Sequence, residues 1–192
     1  NYAPYYLGSA YIGARVDSPE DLLKVHLYPP DSTEQVLHNS TDRIETMTVA
    51  TTGMNNWTER ERDRQGELFL RIALRTELNR SAAVDAAHGW GDDRRITFSK
   101  HNRTATAWVL HWDDADNATE FEGVFDRYLG AKATRNGSVW RATDGDATYR
   151  VVEATDETTV VLLGNETFVR TATVNATREN GVEIGVQNES AT

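Results

Sequence analysis

The spacing of apolar residues changes near Trp90, and this change limits the folds that the 192-residue chain can adopt. Before Trp90 the chain carries helix-start signals. Ser18-Pro19-Glu20-Asp21 provides a capping hydroxyl, a proline at the first helical position and acids in the first turn. Thr58-Glu59-Arg60-Glu61 has the form of a capping box and predicts a helix that extends to about Leu78. The first ninety residues are therefore expected to be helical.

After Trp90 the apolar residues alternate with polar ones. Residues 95–99 and 104–112 both alternate, and His101-Asn102-Arg103 supplies a turn between them, which predicts a β-hairpin. Asp113 or Asp114 is expected to cap a helix that buries Phe121 and Leu129. Three further strands are predicted at residues 139–142, 148–153 and 158–163.

These patterns predict an α+β fold with a ββαβββ order in its second half. Residues 1–90 form the expected helical subdomain, and residues 91–192 form a mostly antiparallel sheet with one crossing helix. Residues 168–174 fit either a helix or a strand. The two parts are expected to pack together, and one compact domain is compatible with the same patterns.

Nine of the twelve asparagines lie in the tripeptide Asn-x-Ser/Thr, which accepts N-linked sugar outside the cytoplasm. The nine predicted glycosylation sites are Asn39, Asn56, Asn79, Asn102, Asn117, Asn136, Asn165, Asn175 and Asn188. A threonine-rich chain produces some such tripeptides by chance. Only three asparagines lie outside them, however, and this small number favours glycosylation. The sequence thus predicts an extracellular or cell-surface glycoprotein.

The charge is strongly acidic, with 30 acidic and 20 basic residues and a formal net charge of −10. Only three of the basic residues are lysines. This composition is typical of a halophilic archaeal protein, in which dense carboxylates keep the surface hydrated in concentrated salt. It argues against nucleic acid and anionic membrane surfaces as partners, and no apolar stretch approaches the length of a membrane span. The absence of cysteine excludes disulfides, thiolate ligands and cysteine nucleophiles.

Few residues form a pattern that carries chemistry. The sequence contains neither a His-Glu-x-x-His run nor a Gly-x-Ser-x-Gly elbow. Glu34 and His38, one helical turn apart, are weak catalytic candidates, because a carboxylate can orient an imidazole; an ion pair on the helix surface is the favoured explanation. Asp113, Asp114 and Asp116 are weak calcium candidates without EF-hand spacing, and helix capping explains them more simply. We expect no bound cofactor.

Three blocks of the sequence together resemble a known family. Residues 28–38, Tyr-Pro-Pro-Asp-Ser-Thr-Glu-Gln-Val-Leu-His, look like a "PP-x-STEQ-x-LHP" block. Residues 89–94 resemble a "GWGGDR" block, and residues 108–121 resemble "W-x-x-x-WD…DA-x-EF". These blocks occur in gluzincin-like zinc metallopeptidase homologues that include haloarchaeal cell-surface proteins. The resemblance covers about residues 1–130 and implies the fold and surface location of the C-terminal portion of such a protein.

The departures from that family concern its catalytic centre. Its His-Glu-x-x-His helix and downstream glutamate precede the region matched here, so the resemblance brings no zinc ligands to this chain. Asn39 replaces the usual proline and creates a glycosylation site. Glu34 and His38 are then expected at most to line a cleft that another segment or chain completes.

Three functional hypotheses follow. The first is a non-catalytic, N-glycosylated surface protein with a structural or interaction role, possible partners being other protein chains or further copies in a filament or layer. The second is the processed C-terminal half of a zinc metallopeptidase. The third is a carbohydrate- or calcium-binding module that uses the tryptophans of the sheet.

Overall fold

The computed structural model describes residues 3–178 and 181–187. The helices of this part of the chain are α1 (Ala3–Gly13), α2 (Pro19–Leu27), α3 (Thr33–His38), α4 (Glu67–Leu74), α5 (Arg80–Asp85), α6 (Ala115–Lys132) and α7 (Glu166–Thr171). The strands are β1 (Thr48–Thr51), β2 (Thr58–Asp63), β3 (Trp90–Lys100), β4 (Arg103–Trp112), β5 (Ala133–Asn136), β6 (Val139–Ala142), β7 (Thr148–Thr155), β8 (Thr158–Gly164), β9 (Ala172–Thr177) and β10 (Gly181–Val186). The protein is therefore α+β.

The strands form two sheets. A large sheet of seven strands has the order β2-β3-β4-β8-β7-β6-β5, and every neighbouring pair in it is antiparallel. A small sheet has the order β1-β10-β9, in which β1 runs parallel to β10. The long hairpin of β3 and β4 lies near the centre of the large sheet and supplies residues to both of its faces.

Alternating side chains of the large sheet build two hydrophobic cores, one on each face. On one face Ile96 and Phe98 pack with α7 and the small sheet. On the other face Trp108 and Leu110 pack with α4, α5 and α6. The second core joins Leu70 of α4 to residues after Trp90, so the two halves of the chain share one hydrophobic core.

Several local predictions are confirmed. Ser18 caps α2 and accepts a hydrogen bond from the backbone of Asp21, and Asp114 caps α6. The hairpin of β3 and β4 and the strands β6, β7 and β8 lie where alternation predicts them. The ambiguous segment contains both structures, because α7 ends at Thr171 and β9 begins at Ala172.

The helical first half is not confirmed. Residues Thr58–Asp63, predicted to begin a long helix, form strand β2 along the edge of β3, and the helix is confined to Glu67–Leu74. The segment Thr-Glu-Arg-Glu-Arg-Asp has no apolar residue to bury on a helical face, whereas an edge strand can pair its backbone and leave every side chain exposed. Strand β1, at Thr48–Thr51, also lies within the ninety residues expected to be helical.

The strand order also differs from the predicted ββαβββ. Strand β5 directly follows α6 in the chain, so the large sheet has four strands after that helix, whereas three were predicted. Its sequence, Ala-Thr-Arg-Asn, does not alternate, and only Ala133 is buried. Among the described residues, none of the helices combines the length and apolarity needed to cross a membrane.

Candidate functional site

The predicted glycosylation sites lie at the periphery of the fold. Six of the acceptor asparagines are exposed, namely Asn39, Asn56, Asn79, Asn102, Asn136 and Asn175. Asn117 and Asn165 are half-buried, and Asn188 lies outside the described residues. Each described acceptor follows a helix, lies at or near the start of one, occupies a turn, or lies in an edge strand, which is β5 for Asn136 and β9 for Asn175.

The side chains of two acceptors also cap the starts of helices. The Oδ1 atom of Asn79 accepts a hydrogen bond of 2.9 Å from the backbone of Ala82 at the start of α5. Asn165 accepts one of 2.8 Å from the backbone of Phe168 at the start of α7. Capping uses the amide oxygen, whereas N-linked sugar is attached to the amide nitrogen. The two roles are therefore chemically compatible.

Asn117 differs from the other acceptors because its side chain is crowded. It lies in the first turn of α6, and its amide group contacts the position where a Cβ on Gly89 would be. Gly89 has a φ of 71° and lets the backbone turn before the buried Trp90. Sugar on Asn117 would have to leave through this narrow space.

The Ser32–Gln35 segment holds α3 against α4. Ser32 caps α3 by accepting a hydrogen bond from the backbone of Gln35. The hydroxyl of Thr33 accepts one of 3.2 Å from the backbone of Leu68, near the start of α4. The buried Gln35 side chain donates to the carbonyl of Asp42 at 2.7 Å. Most polar residues of this block therefore have a packing role.

His38 pairs with a carboxylate that the sequence did not indicate. Its Nε2 atom lies 3.0 Å from Oε2 of Glu67, a residue with no exposed surface. Arg71, one turn further along α4, donates to Oε1 of the same carboxylate. Glu67 thus receives a cation and an imidazole at once, which is how a buried carboxylate is normally stabilised.

The carboxyl group of Glu34 is affected by its burial and by other acids nearby. Burial raises the pKa of its carboxyl to about 7, and the negative charges of Asp113, Glu67 and Asp42 act in the same direction. A carboxyl group that titrates near neutrality is a feature of acid–base sites, although structural clusters produce it too. We call Glu34, His38, Glu67 and Arg71 the α3–α4 cluster.

Two adjacent buried acids, Asp92 and Asp93, lie near the start of strand β3. Asp93 accepts hydrogen bonds from the backbones of Gln65 and Gly66 and from Nε1 of Trp108 at 2.7 Å. The pKa of Asp93 is raised because burial outweighs these hydrogen bonds. The adjacent Asp92 receives Arg64 at 2.7 Å and Arg94 at 2.6 Å. This pair fixes the loop before α4 to the central hairpin.

Two of the three weak calcium candidates, Asp113 and Asp114, make hydrogen bonds within the fold. Asp114 accepts a hydrogen bond of 2.8 Å from the backbone of Asn117 as the cap of α6, and the backbone of Asp113 donates to the carbonyl of Gly89. Asp116 is exposed in the first turn of the helix. In residues 3–178 and 181–187, no group of three or more His, Asp or Glu side chains is arranged to hold a metal ion.

Residues 52–175 match the family described as Domain of unknown function (DUF8575). The chain belongs to this family. No curated protein and no solved structure matches it.

The DUF8575 region, residues 52–175, contains both acidic residues at the start of β3 and all the acceptor asparagines except Asn39 and Asn188. The α3–α4 cluster crosses its boundary. Glu67 and Arg71 lie inside the region, whereas Glu34 and His38 precede it. The family match therefore covers the large sheet and the helices α4, α5, α6 and α7, and the helices α1, α2 and α3 precede it.

Proposed function

We propose that the protein is a non-catalytic, N-glycosylated surface protein of a halophilic archaeon with a structural or interaction role. The supporting observation is the distribution of the acceptor asparagines. All eight that lie in the described residues are at least partly exposed, although the fold buries many other polar side chains. Attachment of sugar requires such access, and peripheral positions keep glycans clear of the hydrophobic cores.

The distribution of acceptor asparagines also supports a particular face as the one that contacts other proteins. Residues 1–38 contain no acceptor tripeptide, whereas the remaining sequence contains nine. Within that segment, which lacks acceptors, α2 has no fully buried residue, and its three leucines are exposed. Leu22 is 53% exposed, Leu23 58% and Leu27 60%. We propose that this α2 face mediates association with a second copy of the chain, because apolar side chains in contact would release water from both copies.

Mass spectrometry tests the glycosylation. The full chain, secreted from a haloarchaeal host, is compared with the same chain produced in a bacterial cytoplasm. Glycopeptides are expected at Asn39, Asn56, Asn102 and Asn136, and replacing any one of them by Gln should remove one glycan mass. The crowded Asn117 should have the lowest occupancy. A secreted protein with the unmodified mass at every acceptor would refute the proposal.

Light scattering coupled to gel filtration at molar salt tests association. The proposal predicts a dimer or larger species for the natural chain and a monomer for Leu23→Asp. Thr119→Asp, an equal charge change on the exposed surface of α6, is the control and should not alter the size. A monomeric natural chain across the accessible concentration range would exclude self-association through α2.

A specific observation also supports the second candidate, a processed half of a zinc metallopeptidase. The near-neutral pKa of Glu34 and its position beside His38 and Glu67 are suited to the edge of a cleft. Under this alternative the α2 face would contact a separate catalytic segment. Native mass spectrometry of protein from its own host would then show a co-purifying fragment with about one zinc ion per complex, whereas the first proposal predicts neither.

A further inference from the structure

A cavity of about 480 Å³ opens between α4, α6 and the face of the large sheet that carries Trp108. Small-molecule sites in proteins typically enclose ~300 to 1,000 Å³, so this volume suits one small organic ligand. Its wall includes five aromatic side chains, Phe69, Trp108, Phe125, Tyr128 and Tyr149. All of them belong to the DUF8575 region, and none belongs to the α3–α4 cluster.

The aromatic wall is held in place by Asp93 behind it and by contacts among its own rings. Asp93 holds the indole of Trp108 by its Nε1 atom at 2.7 Å. Phe69 packs edge-on against that indole, with ring centroids 5.6 Å apart. On the opposite side the rings of Phe125 and Tyr128 stack at 5.2 Å. A wall that is already ordered loses little conformational entropy when a ligand enters.

One edge of the cavity is polar and carries a cation. Arg95 and Thr97 of β3 line it together with Thr104 and Thr106 of β4. The guanidinium of Arg95 lies 3.8 Å from the carboxylate of Glu61, which is beyond hydrogen-bond distance. Glu61 is largely exposed, so an anion can displace this loose pair and accept hydrogen bonds from the planar guanidinium.

We propose that the cavity binds a small amphipathic anion, with its aromatic or aliphatic body between the aromatic side chains and a carboxylate or sulfonate group on Arg95. The distribution of polar groups favours this class over a sugar, because the interior offers mainly ring faces and aliphatic carbon, whereas the hydroxyls of a sugar need partners all round. This binding activity is independent of glycosylation and of association through α2.

A matched pair of fluorescent probes tests the proposal. Anilinonaphthalene sulfonate and N-phenyl-1-naphthylamine share the same rings, and only the first carries an anionic group. Both are expected to bind the folded chain saturably with one molecule per protein, and the sulfonate should bind more tightly. Arg95→Gln should lower the affinity for the sulfonate probe by about tenfold and leave the affinity for the neutral probe unchanged. Arg170→Gln, which removes the same charge from α7 on the other face of the sheet, should change neither.

Filling the cavity provides the second test. Ala73 lines the cavity from α4 and is partly exposed, so a larger side chain can be accommodated there. Ala73→Trp should abolish binding of both probes while the circular dichroism and the unfolding midpoint remain close to those of the natural chain. If that variant does not fold, Ala73→Leu should weaken both probes in proportion to the volume added.

Three results would overturn the proposal. Undiminished binding in a folded Ala73→Trp variant would place the probes elsewhere. Equal losses of the two probes in Arg95→Gln would exclude the anion site. Absence of probe binding by a chain that light scattering shows to be dimeric, with binding regained on dissociation, would identify a second copy as the occupant.

Discussion

Nε1 of Trp108 donates a hydrogen bond of 2.7 Å to Oδ2 of Asp93, and both side chains are buried. The same carboxylate accepts from the backbones of Gln65 and Gly66, which precede α4. Asp93 therefore ties three groups from two separate segments to the start of β3. Its removal leaves those donors without their acceptor in a place that water reaches poorly.

We expect Asp93→Ala to lower the free energy of unfolding by about 3 to 4 kcal/mol, because each buried donor left without an acceptor costs roughly 1 to 3 kcal/mol. Asp93→Asn should cost less, since the amide oxygen keeps part of the acceptor set. Urea unfolding at fixed salt measures both. Asp116→Ala, an exposed acid on α6, is the control; an Asp93→Ala loss no larger than that of the control would contradict the role given to this carboxylate.

The contrast between α6 and β2 shows how much of the fold the sequence determines locally. Helix α6 has its cap, Asp114, and its buried residues within one segment, and it is predicted correctly. The charged residues of strand β2 match a capping box and predict a helix. Pairing with β3 determines their structure instead, and this tertiary contact overrides the local pattern. Strand β1 depends on a still more distant partner, because Thr48 pairs with Gly181.

The candidate site follows the same rule. The spacing of one helical turn marks Glu34 and His38 as a candidate pair. The hydrogen-bond partner of His38, Glu67, is 29 residues away, and nothing in the sequence around His38 indicates it. The signal that could have located it is an acid in the first turn of a helix whose other residues, apart from Arg71, are apolar, because packing of such a helix brings the acid toward the core.

The pKa of Glu34 predicts a stability change with pH. Burial, with Asp113, Glu67 and Asp42, raises this pKa from 4.5 to about 7, so the folded chain holds the proton more tightly than the unfolded chain. The resulting stabilisation is fully present below about pH 4.5 and is lost as the pH rises through about 7. After allowance for partial exposure, Glu34→Gln should be more stable than the natural chain by about 1 to 2 kcal/mol at pH 8 and nearly equal to it at pH 4.5.

Urea unfolding at a series of pH values and constant salt checks this. Glu120→Gln, at an exposed position of α6, should leave the pH profile of the natural chain unchanged. A Glu34→Gln profile parallel to that of the natural chain between pH 4.5 and 7 would show that Glu34 titrates like an ordinary surface carboxyl.

The capping role of Asn165 can be separated from its role as a sugar acceptor. In unglycosylated protein, Asn165→Ala removes the oxygen that accepts from the backbone of Phe168 and should cost about 1 kcal/mol. Asn165→Asp keeps a capping oxygen and should be nearly neutral, while it removes the acceptor. Thermal unfolding compares the two, and Asn136→Ala, at an exposed strand end, should change stability by less than about 0.5 kcal/mol. Equal effects of Ala and Asp at position 165 would argue against the cap.

Gly89 combines a left-handed backbone with contact to Asn117, and two substitutions separate these effects. Gly145 has a similar φ of 86° but open space around its Cβ position, so Gly145→Ala should show backbone strain alone, about 1 kcal/mol. Gly89→Ala adds a collision with the side chain of Asn117 and should cost about 2 to 4 kcal/mol. Asn117→Ala in the Gly89→Ala chain should relieve the collision but not the backbone strain, and should therefore recover part of the lost stability. The double-mutant cycle should then give a favourable coupling energy. Additive losses in chemical unfolding would mean that α6 moves aside freely, and the crowding that limits glycosylation of Asn117 would then not exist.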